Sequence, residues 1–343
     1  MISHVENTSE TLTKKDFSND QLVRWCPGCG DYAILSAIQG AMPQLNIPKE
    51  KIVFVSGIGC AARFPYYMNT YGFHTIHGRA PAVATGLKLS NPDLHVWIVT
   101  GDGDSMAIGG NHFIHALRRN VDVNILLFNN EIYGLTKGQY SPTSKIGLRT
   151  KSTPYGVEEQ SFSAGELAMA AKGTFYARTI DTNPKLMQQI FVDSSKHRGT
   201  SLIEILQNCV IFNDKTHGEI TNKATANDHQ IHLEHGKPML FGENLQKGLR
   251  LNGLKPEVVT IGENGISLDD ILVHNAHEKD NTLHNLLIKM ALPEFPVALG
   301  IIRQVEAPTY SDFLNHQEIL AREKSKVTTM DELLNSGATW EVR

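Results

Sequence analysis

LHVWIVTGDGDSMAIGGNHFIHALRRNVDVNILLFNN, residues 94–130, holds two apolar, β-branched runs separated by a stretch with helical spacing. LHVWIVTG (94–101) and VDVNILLFNN (121–130) read as strands buried on both faces, and GGNHFIHALRRN between them reads as a helix. Strand, helix, strand in this order predicts two parallel neighbours joined by a crossover. The first strand runs into TGDGDS (100–105) and the second ends in Asn129-Asn130. Ligands of open α/β sheets sit outside the carboxyl ends of strands, so both ends fall where a site is expected. Gly101 and Gly103 admit close backbone approach, and Asp102 is a hard oxygen donor suited to a cation that bridges phosphates. Either motif alone is an ordinary turn. Each at a strand end, one helix and one strand apart, lets both side chains reach one ion.

The same alternation extends outward. KIVFVSG (51–57), GTFYARTI (173–180) and TSLIEIL (200–206) read as further buried strands. DYAILSAIQGAM, APAVATGLKLSN and SAGELAMAAKG read as helices. The expectation is a mostly parallel sheet flanked by helices over residues 20–210, after a polar segment at 1–19. Residues 211–343 form an extension richer in His, Asn and Asp, with one strand-like run, PVALGIIRQV. No second sheet pattern is apparent after residue 211.

Composition narrows the function. In 343 residues, 41% are apolar, enough for a full core, and the formal charge of −4 offers no electrostatic case for nucleic acid or anionic membrane. The start lacks the apolar stretch of a signal peptide, and no run approaches the roughly 18 apolar residues of a bilayer span. The expectation is a soluble cytoplasmic protein, in which four cysteines are poor candidates for disulfides.

Those four are Cys26 and Cys29, in RWCPGCGDY (24–32), and Cys60 and Cys209. A Cys-x-x-Cys before a helix suits a redox dithiol, but that leaves two cysteines unexplained. Structural zinc favours two close pairs, and here only one pair is close. Cys60 and Cys209 each follow a strand, on the side of Asp102, so a set gathered from loops at one end of the sheet can also supply the four thiolates of a [4Fe–4S] cluster.

Beyond these local readings, GDGDSMAIGGNHFIHALRRNVDVNILLFNNEIYGLTKGQYSPTS, WCPGCGDYAIL, SGIGCAARFP and IHGRAPAVATGLKLSNPDL together resemble the β subunit of 2-oxoacid:ferredoxin oxidoreductases. The resemblance covers about 20–220 closely and the tail more loosely. It implies a thiamine diphosphate-binding fold. Asp102, Asn130 and the carbonyl of Ile132 would ligate magnesium. Gly103, Asp104, Gly134 and Leu135 would contact the diphosphate. Ile58, Gly59, Cys60 and Ala61 would form the aminopyrimidine-side loop, with His77 as a further diphosphate contact. Cys26, Cys29, Cys60 and Cys209 would bind the [4Fe–4S] cluster, and Arg63 and Lys137 would hold substrate carboxylate.

The implied activity is oxidative decarboxylation of a 2-oxoacid to acyl-CoA and carbon dioxide, with ferredoxin as electron acceptor. YGLTKGQYSPTS sits nearest the 2-oxoglutarate-preferring branch; pyruvate or broad-range specificity is the alternative. The glutamate that activates the aminopyrimidine comes, in the family, from a separate α subunit, which also brings the coenzyme A region. No general base is therefore assigned in this chain. A non-redox thiamine enzyme would have no use for four cysteines, and a zinc-stabilised binding module none for GDG with a matched NN.

Overall fold

The structure, a computed structural model, describes residues 12–325, 327–338 and 340–342. Most of the polar start, residues 1–11, lies outside them; within 12–19, Phe17 is fully buried against the core.

The described residues form eleven strands: β1 Ile52–Ser56, β2 Tyr71–His74, β3 His95–Gly101, β4 Asn124–Asn129, β5 Phe175–Ile180, β6 Ser201–Leu206, β7 Gln230–Leu233, β8 Leu240–Phe241, β9 Lys247–Asn252, β10 Lys255–Thr260 and β11 Val297–Gln304. Eight form one sheet in the order β2-β1-β3-β4-β6-β5-β11-β7. All its pairings are parallel except β11 with β5. The expected strands are all there, and the connections put β1, β3, β4 and β6 side by side.

Alternation along the central strands builds the layers. Val53, Val55, Val96, Ile98, Ile125 and Leu127 face one core; Phe54, Trp97, Val99, Leu126 and Phe128 face the other. The helices are α1 Asp31–Ala41, α2 Ala80–Ser90, α3 Gly110–Arg119, α4 Ala164–Ala170 and α5 Pro184–Lys196, with shorter ones beyond. Helices α2, α3 and α4 cover the first face, through residues such as Ala84, Phe113 and Ala168. Helices α1 and α5 cover the second, through Ile34, Ile38, Met187 and Phe191. This three-layer arrangement is what a sheet apolar on both faces requires.

Residues past 210 do not stand apart from this sheet. They contribute β7 and β11 to it. They also form a three-stranded antiparallel sheet, β10-β9-β8, which corrects the expectation that no second sheet follows residue 211. Its strands are short and broken by glycine and proline, so no buried-strand pattern marks them. No helix among the described residues is long and apolar enough to cross a membrane.

Candidate functional site

Asp102 directly follows β3 and Asn130 directly follows β4. Ile58, Gly59, Cys60, Ala61, His77, Gly103, Asp104, Ile132, Gly134 and Leu135 line one cleft of about 110 Å³ with them. The loop after β3 winds into a π-helical turn, Asp104–Ile108, a feature that recurs at functional sites.

Asp102 is 2% exposed, and burial pushes its carboxyl up to about 6 against the opposing pull of hydrogen bonds from Ser141 and Thr143. Both hydroxyls donate to the same oxygen: Ser141 Oγ and Thr143 Oγ1 each lie 2.5 Å from Oδ2. No ion pair among the described residues involves this carboxylate. An oriented, buried carboxylate without a basic partner fits a cation ligand, because a bound divalent ion would offset the penalty of ionising it there. Thr143 Oγ1 also lies 3.0 Å from Asn129 Oδ1, and Asn129 Nδ2 donates to Glu204 Oε1 at 2.8 Å. Burial raises the Glu204 carboxyl, but Arg178, with hydrogen bonds from Tyr176 and Asn129, outweighs it and holds the group below the usual range.

Asn130 is fixed by two contacts. Its Nδ2 donates to Gln207 Oε1 at 2.7 Å, and its Oδ1 accepts from the Ile132 N–H at 3.2 Å. The loop that follows is bent through two non-glycine residues at positive φ, Glu131 at 56° and Lys137 at 76°. Such conformations persist only where surrounding contacts enforce them, and they concentrate at ligand sites.

Asp104 lines the cleft, but its carboxylate is taken up by the protein. Oδ1 accepts from Ile58 N at 3.1 Å and Gly78 N at 2.7 Å and lies 2.5 Å from His77 Nδ1; Oδ2 accepts from Thr100 Oγ1 at 2.8 Å. Asp104 therefore ties together the loops after β1, β2 and β3, which suits a group beside an anion better than direct contact through a like charge. Gly103 is required by packing: a Cβ there would lie 2.2 Å from the Tyr133 ring, whose hydroxyl donates to the Gly103 carbonyl.

The four cysteines share a second cavity of about 210 Å³, lined also by Arg24, Asp31, Arg63, Lys137 and Gln207. All four are free thiols. Trp25 Nε1 donates to the Cys60 carbonyl at 2.8 Å, pinning the Cys26–Cys29 loop to the loop after β1. Burial raises the Cys29 and Cys60 thiols above their ordinary value, with the Asp31 charge adding to the effect. Among the described residues no three His, Cys, Asp or Glu side chains converge as a single metal ion needs. Thiols that ring a cavity walled by Arg24, Arg63 and Lys137 fit a multi-iron cluster, whose anionic thiolate complex those cations would balance.

The two cavities share a wall. Cys60, Asn130, Gly134 and Leu135 line both. Gly134 sits close against the thiols: a Cβ there would meet Cys60 Sγ at 3.4 Å and Cys209 Sγ at 3.6 Å. Arg63 and Lys137, expected to hold the substrate carboxylate, line the cysteine cavity and not the cleft of Asp102. Ser141, Thr143 and Gln207 were not singled out from sequence. Ser141 and Thr143 lie in the SPTS stretch, and nothing local links them to Asp102.

Fold and cleft together define an α/β protein with a ligand site at the carboxyl ends of its parallel strands. The family described as thiamine pyrophosphate enzyme, C-terminal TPP binding domain, matches residues 57–205. The 2-oxoglutarate oxidoreductase subunit KorB of Mycobacterium tuberculosis is 47% identical over 341 residues, 98% of this chain and 91% of that one. The β subunit of 2-oxoacid:ferredoxin oxidoreductase 1 of Aeropyrum pernix is 46% identical over 190 residues, 55% of this chain and 60% of that one. A solved 2-oxoglutarate:ferredoxin oxidoreductase from Magnetococcus marinus, with 2-oxoglutarate, coenzyme A and succinyl-CoA bound, superposes with TM-score 0.75 at 29% identity, covering 96% of this chain and 97% of that one. This chain belongs to the β subunits of the 2-oxoacid:ferredoxin oxidoreductases.

Proposed function

We propose that this chain is the cofactor-carrying subunit of an enzyme that oxidatively decarboxylates 2-oxoglutarate to its coenzyme A thioester, passing electrons to ferredoxin. The observation that carries the proposal is the pair of cavities with a common wall at Cys60, Asn130 and Gly134. When bound, thiamine diphosphate supplies the electron sink that loss of carbon dioxide from a 2-oxoacid demands, and an iron–sulfur cluster supplies a one-electron acceptor.

The chain's own residues have separable tasks. Asp102, Asn130 and Ile132 would hold magnesium, with Ser141 and Thr143 keeping the Asp102 carboxylate in place. Gly103, Asp104, His77, Gly134 and Leu135 would line the diphosphate, and Ile58, Gly59, Cys60 and Ala61 the aminopyrimidine side. Asp104 acts there by orienting His77, whose Nδ1 lies 2.5 Å from its carboxylate. Cys26, Cys29, Cys60 and Cys209 would hold the [4Fe–4S] cluster, and Arg63 and Lys137 the substrate carboxylates from the shared side.

A cleft of about 110 Å³ falls well below the roughly 300 Å³ at which small-molecule pockets usually begin. That supports a half-site completed by an α subunit, which would also bring the aminopyrimidine-activating glutamate and the coenzyme A region. The reading is of a cytoplasmic protein, because a thiolate cluster survives in a reducing milieu. The test is to co-express the chain with its α subunit and measure 2-oxoglutarate- and coenzyme A-dependent reduction of a viologen dye. Activity requiring both substrates supports the reading; a complex inert to 2-oxoglutarate and to other 2-oxoacids overturns it.

A further inference from the structure

Gln207 stands between the two cavities, and sheet register puts it there. β4 and β6 pair in parallel with Asn129 opposite Leu206, and the Gln207 N–H donates to the Asn129 carbonyl at 3.0 Å. The next residue on each strand is therefore Asn130 on one side and Gln207 on the other. Gln207 is 1% exposed, and its side-chain amide is fully engaged. Oε1 accepts from Asn130 Nδ2 at 2.7 Å; Nε2 donates to the Asn208 carbonyl at 2.6 Å and lies 3.4 Å from Cys29 Sγ.

The polarity of this chain of hydrogen bonds follows from chemistry. A backbone carbonyl only accepts, so the Asn208 oxygen requires the NH₂ end of Gln207 beside it. That end has two N–H bonds, and the second points to Cys29. Oε1 must then face Asn130, which requires Nδ2 of Asn130 on that side and leaves Oδ1 on the other, where the Ile132 N–H also donates to it. An amide is nearly symmetric in shape, and without Gln207 only the 3.2 Å bond from the Ile132 N–H would keep the Asn130 nitrogen away from a cation.

We propose that Gln207 is a positioning residue that couples the cation site to the cluster site. This rests on the cofactor assignment above. Its acceptor oxygen holds Asn130 in the orientation that offers an oxygen to magnesium. Its N–H bonds to the Cys29 thiolate and stabilises the reduced, more negative cluster, raising its midpoint potential. Neither Asn130 nor Cys29 can be rotated without disturbing the other through this one amide.

The test compares wild type, Gln207→Met and Gln207→Asn, each co-expressed with the α subunit and purified anaerobically. Methionine keeps the volume and loses all three hydrogen bonds. Asparagine keeps a buried amide but falls one methylene short of spanning its neighbours. The readouts are iron content, the dissociation constant of magnesium thiamine diphosphate, and the cluster midpoint potential from a spin-resonance titration. The proposal expects unchanged iron, cofactor binding about tenfold weaker in both variants, as one lost buried hydrogen bond implies, and a potential shifted negative. Unchanged cofactor binding and an unchanged potential in variants that keep their iron overturn it. Should the variants fail to fold, wild type labelled with ¹⁵N in the glutamine side chain decides. Weak ¹⁵N hyperfine coupling to the reduced cluster supports the contact, and its absence overturns it. Wild type without any cluster instead removes the cofactor assignment on which the proposal stands.

Discussion

Ser141 donates a 2.5 Å hydrogen bond to Oδ2 of Asp102 from a loop 39 residues further along the chain. With Thr143 on the same oxygen, it fixes a carboxylate that burial alone would disfavour. Hydrogen bonds to a charged group contribute about 1.5–3 kcal/mol each. Ser141→Ala and Thr143→Val should each weaken magnesium thiamine diphosphate binding about tenfold or more, and Asp102→Ala should abolish its retention, with iron content unchanged in all three. Isothermal titration of the complex, freed of thiamine, checks this; wild-type affinity in Asp102→Ala would sink the magnesium assignment.

The cysteine set makes a separate prediction. Cys26→Ser, Cys60→Ser and Cys209→Ser should each lose or convert the cluster while far-ultraviolet circular dichroism stays native, since none of the four is fully buried. Iron and sulfide content equal to wild type in all three would refute the ligand set.

Much of this was legible in the sequence because buried parallel strands announce themselves as apolar runs. LHVWIVTG and TSLIEIL are read directly, and their ends place Asp102 and Cys209. β2, YGFH, was not legible: it is an exposed edge strand with no apolar pattern. Nor was β7, QIHL, too short to show a period. Helix α5 was passed over although Asn183 caps it, accepting from Leu186 N, ahead of Pro184. The residues that support the site are harder still. Ser141, Thr143 and Gln207 meet Asp102 and Asn130 only through tertiary structure, and a hydroxyl or amide in a loop carries no mark of its distant partner. Arg63 and Lys137 were singled out, but which cavity they line depends on loop paths that spacing does not encode.

That placement bears on specificity. Arg63 and Lys137 line the cysteine cavity, and that cavity shares a wall with the cleft; on this reading one of them holds the second carboxylate of 2-oxoglutarate. A charge-assisted pair contributes about 1.5–3 kcal/mol, so Arg63→Ala or Lys137→Ala should lower kcat/KM for 2-oxoglutarate about ten- to a hundred-fold more than for pyruvate. Equal losses on the two acids would mean that both cations serve the shared carboxylate and that the tail is selected elsewhere.

Two buried histidines outside the site should set the acid limit of stability. Burial lowers His197 and His274 from 6.5 to about 4. The unfolded chain therefore takes up these protons first as pH falls. Their contribution is complete above about pH 6.5 and is lost progressively toward pH 4. Melting temperature should fall between pH 7 and pH 5, and less so in His274→Gln. A melting temperature flat across that range would contradict it.

The central claim is that one chain places a thiamine site against a cluster. Its most direct test is the spin-resonance spectrum of the anaerobic complex with the α subunit, recorded before and after 2-oxoglutarate is added. The complex should hold about four iron and four sulfide per chain, silent as isolated, and 2-oxoglutarate should bring up the signal of a reduced [4Fe–4S] cluster in wild type but not in Asp102→Ala. A thiamine-loaded, iron-loaded wild-type complex whose cluster stays oxidised with every 2-oxoacid offered would contradict the account.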